Sequence, residues 1–76
     1  MYTVIGFQKV SYTNKAGNLV RGTRLFVVED TPREGLTGYA CESMWLRETI
    51  DYTPRLDENV RVYYNKFGGI DSVVAA

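Results

Sequence analysis

Residues 2–29 read YTVIGFQKVSYT, NKAGN, LVRGTRLFVVE: two dense runs of β-formers on either side of Asn14-Lys15-Ala16-Gly17-Asn18. In the first run, Tyr2 to Thr13, strict alternation places Val4, Gly6, Gln8, Val10 and Tyr12 on one strand face. It places Ile5, Phe7, Lys9 and Ser11 on the other. Both faces carry apolar groups, so the strand is expected to touch the core on one side and something else on the other. Asn and Gly tolerate the positive φ that tight hairpin turns need, and residues 14–18 break the pattern. Leu19 to Glu29 resumes it, most densely at Leu25-Phe26-Val27-Val28. The two runs therefore predict a long antiparallel hairpin.

Asp30 to Gly38 reads as a loop, with Pro32 unable to donate to a ladder and Gly35 and Gly38 as punctuation. Tyr39 to Leu46 reads as a third strand. Arg47 to Glu58 is the only place for a helix, but Thr49 and Thr53 are poor helix residues and Thr53-Pro54 ends any helix there. A turn or a short helical piece is expected. In Asn59 to Asn65, a fourth strand, Val60, Val62 and Tyr64 alternate with Arg61, Tyr63 and Asn65. Lys66-Phe67-Gly68-Gly69 is a turn, and Ile70 to Val74 a fifth strand. Trp45 and Tyr64 are assigned to the core. The fold class expected is all-β, one domain over residues 1–76. Its architecture is a five-stranded OB-fold-like small barrel, with a short irregular or helical connection between strands 3 and 4. An SH3-like barrel and an open sheet that closes only by dimerising are the alternatives.

At 76 residues the chain buries only about 60% of the surface its unfolded form exposes. Small domains make up the deficit with disulfides, a metal or self-association. Cys41 is the only cysteine and histidine is absent, so no internal disulfide and no zinc or other metal site are expected. A homodimer is therefore favoured over a monomer. One cysteine and no basic-then-apolar leader predict a cytoplasmic protein rather than a secreted one. No apolar run approaches the roughly 18 residues of a membrane span, so no membrane partner is expected.

The chain has no net charge, but the charge is unevenly spread. Residues 1–28 hold Lys9, Lys15, Arg21 and Arg24 and no acid, whereas residues 29–76 hold five arginines and lysines against nine carboxylates. Such asymmetry suggests a directed electrostatic surface.

Catalysis is not expected. The commonest general acid–base side chain is missing, and Cys41, inside a strand after Ala40, reads as a small buried thiol without a base. Glu29-Asp30 with Glu34, and Asp57-Glu58, lie at strand ends. Adjacent strand residues point apart, so these carboxylates do not converge on a cation by themselves. No glycine pattern matches a phosphate-cradling loop, and no cofactor is implied.

The aromatic and basic residues are the positive signal, because single-stranded nucleic acid is bound by stacking bases on rings beside a positive groove. Phe7 with Lys9, Arg24 with Phe26, and Arg61 with Tyr63 each set a ring and a cation two residues apart, on one side of a strand. Taken singly, each ring is better explained as core under a Lys or Arg stem. Arg61-Tyr63 is the best of the three, since Val60, Val62 and Tyr64 already supply that strand's apolar face.

The stretches Gln8 to Asn18, Arg21-Gly22-Thr23-Arg24-Leu25-Phe26 and Val62 to Gly69 together resemble the small OB-fold single-stranded-DNA-binding proteins of phages and conjugative elements, the gene V type of filamentous phage included. The resemblance is one of strands and turns, without a diagnostic motif. It implies a dimer with DNA on the long hairpin, and carries over to Lys9, Tyr12, Lys15, Arg21 and Arg24. The zero net charge and acidic second part depart from it, since phosphates must be neutralised. The function expected is non-catalytic binding of single-stranded DNA with little sequence selectivity. The alternative is a protein-interaction or accessory module of a phage or mobile element.

Overall fold

The computed structural model describes all 76 residues. It is all-β: β1 (Tyr2–Thr13), β2 (Leu19–Glu29), β3 (Cys41–Arg47), β4 (Asn59–Tyr64) and β5 (Ile70–Ala75). They form one antiparallel sheet in the order β3-β2-β1-β4-β5. The long hairpin has the bounds expected of it. No helical piece forms between β3 and β4. After two isolated turn bonds, Ile50 N to Arg47 O at 2.9 Å and Tyr52 N to Ile50 O at 3.0 Å, the chain reaches Thr53-Pro54, where the α conformation is disfavoured. No helix here is long and apolar enough to cross a membrane.

β1 is the central strand. It pairs with β2 along its length, but with β4 only at Tyr2 and Thr3. Two backbone bonds to the preceding connection extend that contact, Val4 N to Glu58 O at 2.9 Å and Asp57 N to Val4 O at 2.8 Å. Past this point the far edge of β1 has no strand beside it. β3 ends opposite Gly22, so Leu19–Arg21 and their partners Ser11–Thr13 project as a two-stranded arm. The arm accounts for a radius of gyration of 13.8 Å, where a compact chain of this length has about 11 Å.

Val4, Leu25, Val27, Met44, Leu46, Val60 and Val73 are the buried residues, and the strand registers put all seven on one face. There is no second layer to cover that face. The sheet curls around it instead, and Ile50 and Tyr52 pack over it from the connection. The curl brings the two edge strands toward each other without closing a barrel. A side-chain bridge, Arg47 Nη2 to Ile70 O at 3.1 Å, spans the gap, and no strand pairing joins β3 to β5.

One irregularity decides which side chains face the core. Val4 stands opposite Val27, but Gly6 stands opposite Phe26, which leaves Ile5 as a bulge. Phe7, Lys9 and Ser11 therefore follow Val4 on the core-side face, while Gly6, Gln8, Val10 and Tyr12 face outward. This corrects the strict alternation, which grouped Val4 with Gly6, Gln8, Val10 and Tyr12.

The two hairpin turns have the same construction. Asn14 Oδ1 accepts from Ala16 N and Asn18 N, both at 3.0 Å. Asn65 Oδ1 accepts from Phe67 N at 2.9 Å and Gly69 N at 3.0 Å. Gly17 and Gly68 each take φ of 82°, which closes the turn and favours glycine. Asn-Lys-x-Gly thus recurs at both tips.

Candidate nucleic-acid interface

Strand register fixes the outward face of β1–β3 row by row. Gln8, Arg24 and Trp45 stand abreast, with Gly6, Phe26 and Ser43 on one side and Val10, Gly22 and Arg47 on the other. Tyr12 and Val20 continue the face along the arm. The Trp45 indole lies across Gly22: a methyl group there would sit 2.5 Å from Trp45 Cζ2 and 2.6 Å from the Leu46 carbonyl oxygen. Arg24 stands abreast of it, its Cζ 5.9 Å from the Trp45 ring centroid, within cation–π range.

The carboxylates lie elsewhere. Glu29 and Glu42 share the core-side face with Tyr2 and Val27. Asp30 and Glu34 fall in the loop before β3, and Glu48, Asp51, Asp57 and Glu58 in the connection after it. Asp71 sits at an irregularity between β4 and β5. The outward register positions of β1–β3 thus include Arg24 and Arg47 and no acid, and Arg61 is outward on β4. Neither ion pair of the molecule, Met1 amine with Asp30 and Arg33 with Glu29, involves these arginines.

The nine residues singled out in the sequence do not share one surface. Tyr12, Arg24 and Phe26 stand together on the outward face of β1–β2. Arg61 and Tyr63 face outward on β4, two strands from β2. Phe7, Lys9 and Arg21 lie on the core-side face, and Lys15 at the arm's tip. The rings of Phe7, Phe26 and Tyr63 are not core: they are 44%, 37% and 49% exposed. For Phe7 the reason is position, since β4 has left β1 before the strand reaches it.

Three assignments are corrected. Trp45 is only half-buried and faces outward. Its neighbours Met44 and Leu46 are core residues, so alternation already pointed Trp45 away from them. Tyr64 is on the core-side face but half exposed. Cys41 is exposed, because it opens edge strand β3 opposite Val28, away from the core. Arg47 has an outward register position on β3, but its guanidinium is committed to the Ile70 carbonyl across the gap to β5.

Two tyrosines have perturbed hydroxyls. Desolvation by burial, then a hydrogen bond to the Glu42 carboxylate, pushes Tyr2 up to about 12. Desolvation and a hydrogen bond to Glu58, 2.5 Å from the hydroxyl, do the same for Tyr52, also to about 12. The Tyr52 hydroxyl is a donor held in place, not a base. No three His, Cys, Asp or Glu side chains converge as a metal site would need. Comparison with family models, curated proteins and solved structures finds no match for the chain.

Proposed function

We propose that this protein binds single-stranded DNA without catalysis and with little sequence selectivity, on the outward face of β1–β3. One observation carries the reading: that face sets Tyr12, Phe26 and Trp45 beside Arg24, and no carboxylate holds a register position on it. The zero net charge then no longer counts against phosphate binding, because the acids do not share the surface. Rings can stack bases at about 1–3 kcal/mol each, and Arg24 neutralises a phosphate alongside. Stacking is indifferent to base identity, which gives the low selectivity. Supporting an OB-fold-like description are five strands, a central first strand and edge strands that approach without joining, as in a partly open barrel whose strand 2–3 face binds oligonucleotides. An unpaired, exposed Cys41 suits a reducing compartment such as the cytoplasm.

Trp45 is the sole tryptophan, so its fluorescence reports on the face directly. Titration with oligo-dT of about 20 nucleotides at low and moderate salt is expected to quench it in a salt-sensitive way. Arg24→Glu should weaken binding at least tenfold, about 1.4 kcal/mol, and Arg55→Glu, in the connection, far less. No binding at low salt would overturn the function. Equal losses in the two variants would overturn the site.

A second reading, a protein-interaction or accessory module, draws on the unaccompanied edge of β1 beyond Val4. A row of unpaired backbone groups is a template for another strand, that of a second copy included. Retention of the protein on an immobilised partner with no response to oligo-dT would favour it.

A further inference from the structure

We propose that the recess beneath the arm, on the face opposite Trp45, is a second binding site, which takes one nucleotide by its phosphate. The site stands independently of the outward face. Lys9 is paired directly with Thr23, and Ser11 with Arg21. These four side chains form a square on the core-side face, with the two cations on one diagonal and the two hydroxyls on the other. Diagonal neighbours in an antiparallel pair are about 7–8 Å apart. Two long cationic side chains can close on one phosphate across that span, with a hydroxyl to either side. Neither Lys9 nor Arg21 is in an ion pair, so the like charges stand unneutralised.

The remaining walls suit the rest of a nucleotide. The four side chains open onto a cavity of about 430 Å³ whose far side is Leu46, Ile50 and Tyr52, a volume within the roughly 300–1,000 Å³ of small-molecule sites. Leu46 is buried, and Ile50 and Tyr52 pack against the core, so this wall is fixed. The Tyr52 hydroxyl is anchored on Glu58, which leaves its ring as a surface for a base. Glu48 is the one carboxylate lining the recess. Against Lys9, Arg21 and Arg47, which also lines the recess, it leaves two positive charges, which match the dianion of one terminal phosphate. It also offers an acceptor to the exocyclic amine of adenine or cytosine.

The ligand chemistry is a nucleotide bearing a terminal phosphate, free or at the end of a strand. Backbone amide spectra of the intact protein should be followed during titration with inorganic phosphate, dAMP, dTMP, and short oligo-dT with and without a 5′-phosphate. Shifts are expected at residues 9–11, 21–23 and 50–52, with dAMP bound more tightly than dTMP and both more tightly than inorganic phosphate. Lys9→Gln and Arg21→Gln should each weaken dAMP about tenfold while the spectrum stays dispersed. Tyr52→Phe should leave dAMP binding intact, and Tyr52→Leu should reduce it to the level of inorganic phosphate. If the phosphorylated oligonucleotide outbinds dTMP at these amides, the source is a strand end; if dTMP outbinds it, a free nucleotide. The proposal is overturned if these amides do not move at millimolar ligand, if only residues around Arg24 and Trp45 move, or if the Lys9 and Arg21 variants bind as the parent does.

Discussion

Gly22 has no room for a side chain, because β3 lies against it as the Trp45 indole on one count and the Leu46 backbone on the other. Gly22→Ala must therefore displace β3 or turn Trp45 off the sheet, at a cost of about 1–3 kcal/mol. Chemical denaturation would show it as a lower midpoint, and tryptophan emission should shift to the red as the indole is exposed; a variant as stable as the parent would refute the packing. Tyr2 and Tyr52 make a separate prediction about pH. Both are protonated in the fold up to about 12, against 10 for an ordinary tyrosine. The folded form holds these protons more tightly than the unfolded form does, so their contribution is complete below about pH 10 and is lost as pH rises through about 12. Melting temperature should fall across that window, and fall less in Tyr52→Phe, which has one such hydroxyl fewer. A melting temperature flat across the window would contradict the burial of both. At this scale the sequence was partly legible. That Trp45 faces out followed from its place between Met44 and Leu46. Large apolar rings are assigned to cores by habit, and that habit hid it.

The elements were more legible than the residues. β1 and β2 begin and end where β-formers give way to Asn, Lys and Gly, because the turn chemistry is local and needs no tertiary partner. The twin turns should consequently behave alike. Asn14→Ala and Asn65→Ala each remove two bonds from an exposed side chain to the backbone, and each is expected to cost about 1 kcal/mol. Thermal melts of the two variants should show similar losses; a loss confined to one would mean that the tips are held by something other than the asparagine. What remained hidden was relational. Nothing in the sequence marks the point where β4 leaves β1, or the bulge at Ile5, since both depend on how strands twist past one another. The nine candidate residues were read as separate ring–cation pairs and hairpin positions, and the structure divides them between the two faces of the β1–β2 hairpin, its tip, and β4.

As a whole molecule the protein buries only seven of its 76 residues, and leaves Phe7, Tyr12 and Leu19 exposed along a hairpin with a free edge. A chain of this size with so small a core is expected to gain stability by self-association. Sedimentation should show a mass that rises with concentration, and Leu19→Asp should move it toward the monomer; a monomer at every concentration would exclude this. The bulge at Ile5 has a consequence on the same scale. It acts on β1 as a frameshift acts on a message: before it the even-numbered side chains address the core, and after it the odd-numbered ones do. Ile5 carries none of the chemistry itself, yet it decides that Tyr12 is delivered to one side of the arm and Lys9 to the other. A lineage that lost this one residue would keep every ring and every charge and exchange the surfaces on which they are displayed.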